Sequence, residues 1–152
     1  MRYEIRHGDY LISTDPAKLD LEKIHSFLSR ESYWAEGISQ DRLDTAIEHS
    51  LPFGMYHAEV QIGFARAVSD FSTFAYLADV YIDTDYRGRG LSKLLLEAVL
   101  AHPSLVKLRR WLLGTRDAHG LYSQVGFRPL EDPARWMELP DAAAYTQETA
   151  AS

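Results

Sequence analysis

The sequence predicts a single domain of the mixed α/β (α+β) class, and three observations carry that expectation. The chain has 152 residues, enough to bury one real core. Its 46% apolar and 25% charged content is that of an ordinary globular protein. Segments rich in β-branched and aromatic residues are interleaved with segments whose apolar residues recur at helical spacing, and no internal repeat or linker divides them.

From the N-terminus, Arg2–Arg6 reads as a strand that Tyr10–Ser13 extends beyond Gly8-Asp9. Leu21, Ile24 and Leu28 give Asp20–Ser29 the spacing of a helix. Ser39-Gln40-Asp41 opens a second helix, supported by Leu43, Ile47 and an acidic first turn. Between them Ser32–Gly37 reads as a loop. Phe53–His57 and Glu59–Val68 form a hairpin turning near His57-Ala58-Glu59, and Gly63 predicts a bulge or a close backbone approach. Thr73–Ile82 is the next strand. Leu91–Leu100 is a helix that Pro103 ends, and Lys107–Leu113 a further strand. Asp117–Val125 reads as a short helix closed by Gly126, with late strands at Phe127–Leu130 and Trp136–Leu139. The domain is expected to end near residue 140, leaving residues 141–152 as a frayed, Ala-rich tail.

The most telling stretch is Tyr86-Arg87-Gly88-Arg89-Gly90-Leu91-Ser92, which joins the strand ending at Ile82 to the helix starting at Leu91. Gly88 and Gly90 permit torsions that a Cβ forbids, so successive N–H groups can converge on one anion. The helix N-terminus adds unpaired N–H groups and the positive end of its dipole. Arg87 and Arg89 add charges suited to phosphate oxygens. No Gly-Lys-Ser/Thr follows, which excludes a nucleotide P-loop, and the third glycine of a dinucleotide fingerprint is missing. A different phosphate-bearing cofactor is required.

Arg87-Gly88-Arg89-Gly90-Leu91-Ser92 resembles the Arg/Gln-x-x-Gly-x-Gly/Ala acyl-coenzyme A loop of the GNAT family of N-acetyltransferases. Thr115 through Phe127 resembles the same family's Asn-x-x-Ala-x-x-Leu-Tyr-x-x-x-Gly-Phe signature, through Ala118, Leu121, Tyr122, Gly126 and Phe127. The two motifs stand in the family's order and cover roughly residues 60 to 130. Ser92 replaces the usual Gly or Ala but is still small. Thr115 replaces Asn, which bears on a contact to the pantetheine arm.

The resemblance implies an acyl-CoA N-acyltransferase fold, a mixed and mostly antiparallel central sheet flanked by helices. It implies direct transfer of an acetyl group from acetyl-CoA to a primary amine through a ternary complex. The coenzyme would lie in a V-shaped opening between the strand ending at Ile82 and the strand at Lys107–Leu113. Val80, Tyr81 and Ile82 would pair with the pantetheine arm as another strand does, with one N–H facing the thioester carbonyl. Arg87, Gly88, Arg89, Gly90, Leu91 and Ser92 would hold the pyrophosphate, Thr115 would stand at the pantetheine arm, and His119 would touch the cofactor or the acceptor. Tyr122 matches the family tyrosine that gives a proton to the departing thiolate. Asp79 is the first candidate base for the amine, followed by Asp70 and Glu36, and an ordered water serves equally. Tyr33 and Trp34 lie where this fold builds its acceptor site, where an aromatic wall can hold a cation. A module that binds acyl-CoA without turnover stays open beside the enzyme: Tyr122 favours the enzyme, Thr115 the sensor.

Composition adds exclusions. The net charge is −6, with 22 acidic against 16 basic residues, which argues against nucleic acid and mildly for a cationic acceptor, whether a small-molecule amine or a protein amine. No cysteine is present, which fits a reducing cytoplasm and removes a cysteinyl acyl-enzyme. The six histidines lack the paired spacing of a metal site, so no metal is expected. No apolar run approaches a membrane span, and the N-terminus has no signal-peptide pattern. The exposed late strands leave a homodimer open.

Overall fold

A computed structural model of the chain describes residues 2–145. Its centre is a six-stranded sheet in sequential order, formed by β1 (Glu4–His7), β2 (Tyr10–Ser13), β3 (Leu51–His57), β4 (Val60–Ser69), β5 (Phe74–Ile82) and β6 (Arg110–Leu112). Neighbours pair antiparallel except β5 and β6, which are parallel and joined by the helix crossover such a pair requires. The sheet is therefore mixed and mostly antiparallel, as the resemblance implies.

Each helix starts where its cap residue dictates. α1 (Leu21–Arg30) is capped by the Asp20 carboxylate, which accepts from the Lys23 N–H at 3.1 Å. α2 (Gln40–Glu48) is capped by Ser39 through the Arg42 N–H. Their apolar stripes, Ile24, Leu28, Leu43 and Ile47, pack with Phe64 and Tyr81 on one face of the sheet. α3 (Leu91–Leu100) buries Leu91, Leu95, Leu96 and Val99 on the other face, against Ile12, Phe53, Met55, Ile62 and Leu77. α4 (His119–Ser123) follows β6 and brings Leu121 and Tyr122 to the edge of that second core.

Leu95 is fully buried at 0% exposure, so Leu95→Ala removes atoms from a packed core that cannot collapse around the space. We expect a loss of about 2–5 kcal/mol in unfolding free energy, measured by urea titration, with cofactor affinity unchanged below the transition.

The hairpin reading holds in detail. Ala58 and Glu59 form its turn with φ of +49° and +70°, and the β3–β4 register slips between Met55 and Tyr56, with Met55 opposite Gly63 and Tyr56 opposite Gln61. Gly63 also sits where a Cβ would come within 2.7 Å of Ile82 Cδ1, so bulge and close approach coincide.

Four expectations change. Tyr10–Ser13 does not extend the first strand but folds back on it as an antiparallel partner, because Gly8 turns the chain at φ +59°. The strand expected over Lys107–Leu113 shortens to β6, since the paired part of β5 ends at Tyr76. The helix expected over Asp117–Val125 shortens to His119–Ser123. Phe127–Leu130 and Trp136–Leu139 form no strand: Pro129 offers no N–H, and Pro133 starts a short 3-10 turn over Pro133–Arg135 that breaks the run. Of the expected tail, residues 146–152 lie outside the described residues, while Tyr145 packs against the core of α1 and α2. No described helix is long and apolar enough to cross a membrane.

Candidate active site

β5 has nine residues and β6 three, and they pair only at Phe74 with Arg110, Ala75 with Trp111 and Tyr76 with Leu112. Among the described residues no strand pairs with the β5 edge beyond Tyr76, so that edge stands open past the short ladder. A bulge lies in this open stretch: Phe64 faces Tyr81 and Arg66 faces Ala78, so Ala65 stands opposite both Asp79 and Val80. Asp79 takes φ +57°, the left-handed region, and such a bulge bends its strand. Past it, the Asp83 N–H turns toward β4 and donates to the Ile62 carbonyl at 2.7 Å. The Ile82 carbonyl faces the other way and accepts from Arg87 Nε at 3.0 Å. Strand alternation puts the Val80 backbone on that same open edge, with Tyr81 bonded toward β4.

The edge runs directly into the glycine loop. Gly88 and Gly90 have φ of +79° and +75°, and a Cβ at either would meet nothing within 4 Å. Gly90 caps α3 without any side-chain hydrogen bond. Among the described residues, the backbone N–H groups from Gly88 through Lys93 have no acceptor, and the first bonded one is Leu94, to the Gly90 carbonyl at 3.2 Å. Unpaired donors in open space at a helix N-terminus suit an anion such as a pyrophosphate. The two arginines lie differently from the expectation that both point at phosphate. Arg87 Nε donates to the Ile82 carbonyl, and Arg89 reaches the Tyr10 hydroxyl and the Asp85 carbonyl while lying 4.9 Å over the Tyr86 ring.

Tyr33 and Trp34, in the loop between α1 and α2, are both 41% exposed and meet edge to face at 5.1 Å. Each is tied to one side of that open stretch. Trp34 Nε1 donates to Asp79 Oδ1 at 2.9 Å, and the Tyr33 hydroxyl accepts from the Arg116 N–H, just beyond β6, at 2.7 Å. The Arg116 guanidinium lies 4.0 Å over the Tyr33 ring, so one face of that aromatic wall already holds a cation of the protein. The second Asp79 oxygen takes Arg66 Nε at 2.6 Å, and the Asp79 carboxylate is buried. Both oxygens of the expected base are thus engaged.

Tyr122 lies near Tyr33, Asp117 and Tyr76, with its ring against Phe127. Its hydroxyl has no hydrogen-bond partner among the described residues, and burial, aided by the nearby Tyr33 hydroxyl, Asp117 and Tyr76, pushes it up to about 12. Thr115 Oγ1 accepts from the Ala118 N–H at 3.1 Å, closing the turn that leads into α4. His119 and Glu36 are exposed. Asp70 sits at the far end of β4, where its carboxylate accepts from the Ser72, Thr73 and Phe74 N–H groups and the Thr73 hydroxyl; these bonds hold it well below the usual carboxylate range. It closes the β4–β5 turn, away from the cradle. No cluster of metal-ligating side chains occurs among the described residues.

Three residues of the site escaped sequence reasoning. Arg66 is the one charge in the apolar run Val60–Val68, which could have marked it as a buried ion-pair partner. Tyr76 ends the paired part of β5, with its hydroxyl 3.8 Å from where a Gly114 Cβ would stand. Arg116 carries no local signal, because its partner Tyr33 is distant in sequence.

Comparison with known proteins agrees with this arrangement. The sequence profile of the Acetyltransferase (GNAT) family matches residues 21–127. A candidate acetyltransferase of Gibberella zeae, FG08082, is 34% identical over 140 residues, covering 77% of each chain. The crystal structure of a candidate GNAT-family acetyltransferase from Xanthomonas campestris superposes with a TM-score of 0.88 at 45% identity, covering 93% of this chain and 99% of that one. A Clostridium acetobutylicum protein described as a predicted acetyltransferase, crystallised with acetyl-CoA, shares the fold at a TM-score of 0.59 and 16% identity, covering 92% of this chain and 96% of that one.

Proposed function

The chain belongs to the Acetyltransferase (GNAT) family and is an acetyl-transferring acyltransferase, and from that premise we propose that it moves an acetyl group from acetyl-CoA directly to a primary amine within a ternary complex. One observation carries the reading: a bare β5 edge leads straight into an uncapped helix N-terminus, with the unpartnered Tyr122 hydroxyl near Tyr33 and Tyr76. Peptide-like groups of a pantetheine arm fit the bare edge, and a pyrophosphate fits the open glycine cradle. The coenzyme supplies the activated acetyl group.

The chain's own residues then do four things. The N–H groups of Gly88 through Lys93 hold the phosphates, with Arg87 and Arg89 bordering them. The Val80 and Ile82 backbone orients the arm, and an N–H there polarises the thioester carbonyl, an effect worth about 10²–10³ in rate. Tyr122 Oη, protonated throughout the neutral range, donates its proton to the departing sulfur. Trp34 and Tyr33 wall the acceptor side, with Thr115, His119 and Glu36 around the mouth. Asp79, ion-paired and hydrogen-bonded, fixes Trp34 and acts as a positioning residue; the amine gives its proton to water at the exposed mouth. The acceptor is a primary amine on a small molecule or a protein.

Trp34→Phe keeps the ring but removes the donor to Asp79. We expect the KM for the amine to rise severalfold, with cofactor affinity unchanged and stability lower by about 1–3 kcal/mol from the orphaned carboxylate oxygen. Steady-state kinetics and urea titration on the same variant separate the two effects.

The function is tested by thiol release from acetyl-CoA across a panel of primary amines, with mass spectrometry of the product. Acetylated amine and intersecting double-reciprocal lines support direct transfer in a ternary complex. Parallel lines mean an acyl-enzyme and contradict it. Coenzyme binding with no acceptor turned over favours the sensor.

A further inference from the structure

The acceptor side of the site holds a cation whose donors are uncommitted. Arg116 stands just beyond β6, with its backbone N–H on the Tyr33 hydroxyl at 2.7 Å and its guanidinium 4.0 Å over the Tyr33 ring. Stacking engages the flat face of a guanidinium and leaves the N–H groups on its edge free for a planar partner. Among the described residues those edge donors make no hydrogen bond. Their one ion pair, to Asp117 at 3.9 Å, joins side chains that are 66% and 67% exposed. A pair so long and so solvated contributes little.

The ring under that guanidinium belongs to the site. Tyr33 is, after burial, the chief cause of the raised pKa of Tyr122, so the two side chains are close. Trp34 meets the Tyr33 ring at 5.1 Å and donates to Asp79. Asp79 is buried against Arg66 at 2.6 Å, and that pair presents little net charge. Glu36, further along the same loop, is exposed and forms no ion pair among the described residues. Arg116 is thus the charge that the site fixes in place with its donors still open.

We propose that the acceptor is a small amino carboxylate, whose carboxylate docks on the edge of Arg116 while its amine faces the acetyl-CoA thioester. The inference rests on the acetyl-transfer reading and narrows its acceptor class. A carboxylate matches the fork of an arginine with two parallel, charge-assisted N–H···O bonds. Tyr33 holds that fork twice, through the backbone N–H and through its ring, and Asp117 yields a pair of little worth. The partly exposed rings of Tyr33, Trp34 and Tyr76 suit an apolar side group. A polyamine meets Arg116 as a like charge and is disfavoured.

Pairs of amines that differ only in the carboxylate test it, phenylalanine with phenethylamine and leucine with isopentylamine, in thiol release from acetyl-CoA. The preference in kcat/KM for the carboxylate member is expected to fall about tenfold or more from the parent to Arg116→Gln. The basicity of each amine is the same with both proteins, so the change in ratio isolates Arg116. Arg116→Lys keeps the charge without the fork and is expected to fall between. Calorimetric titration of N-acetylphenylalanine and N-acetylphenethylamine reads the same preference without turnover, and the parent is expected to bind the first more tightly. A ratio unchanged in Arg116→Gln, or equal binding of the two acetylated amines, overturns the inference and leaves acetyl transfer standing. Acetylation of other primary amines but none of these overturns it as well. Absence of turnover with every amine contradicts acetyl transfer itself, and the titration then decides on its own whether Arg116 reads a carboxylate.

Discussion

Gly90→Glu is expected to abolish acetyl-CoA binding, the largest single effect that the site geometry predicts. Gly90 is the N-cap of α3, in the left-handed region at φ +75°, within the run Gly88–Lys93 whose N–H groups are unpaired among the described residues. A Cβ there has room, since nothing lies within 4 Å, so the cost is conformational and electrostatic rather than a clash. Left-handed torsions cost a side-chain-bearing residue about 1–2 kcal/mol. The carboxylate adds repulsion to every phosphate oxygen and offers the helix dipole a competing anion. Gly90→Ala separates the two: it carries the torsional cost alone and should weaken binding only in part. Calorimetric titration of both variants gives the comparison, and a Glu variant that binds as tightly as the parent would refute the cradle.

Tyr122→Phe is expected to lower kcat about a hundredfold or more while leaving coenzyme affinity nearly intact. The Tyr122 hydroxyl has no partner to orphan among the described residues, so its removal should not destabilise the fold. That separates a proton donor from a packing residue: the ring stays packed against Phe127, 6.0 Å away edge to face, in either variant. Because burial raises the hydroxyl to about 12, donor ionisation should cause no alkaline loss of kcat below pH 10, the ordinary tyrosine value. A large loss of coenzyme affinity in Tyr122→Phe, or an unchanged kcat, contradicts the acid role.

What was legible in the sequence follows from the range of the forces involved. The conformation of the glycine loop was legible because it is local: two glycines, a helix start and a strand end lie within a few residues, and their torsions follow from composition. The caps Asp20 and Ser39 were legible for the same reason. The engagement of Asp79 was not, because Trp34 and Arg66 meet it across the tertiary fold, and only that meeting spends its oxygens. Nor could the sequence show the Arg87 and Arg89 side chains turning back on nearby carbonyls. Phe127–Leu130 and Trp136–Leu139 have strand-like composition, but a strand is a pairing and not a property of a segment. Neither finds a partner within the described chain.

The most direct test of the central claim is thermal unfolding with and without saturating acetyl-CoA, with NAD and ATP as controls. A ligand at 100 times its dissociation constant stabilises the folded state by about 2.7 kcal/mol, a rise of several degrees for a domain of this size. The site described here predicts that rise for acetyl-CoA, its absence with NAD and ATP, and its loss in Gly90→Glu. No shift with acetyl-CoA, or the same shift in Gly90→Glu, would contradict it.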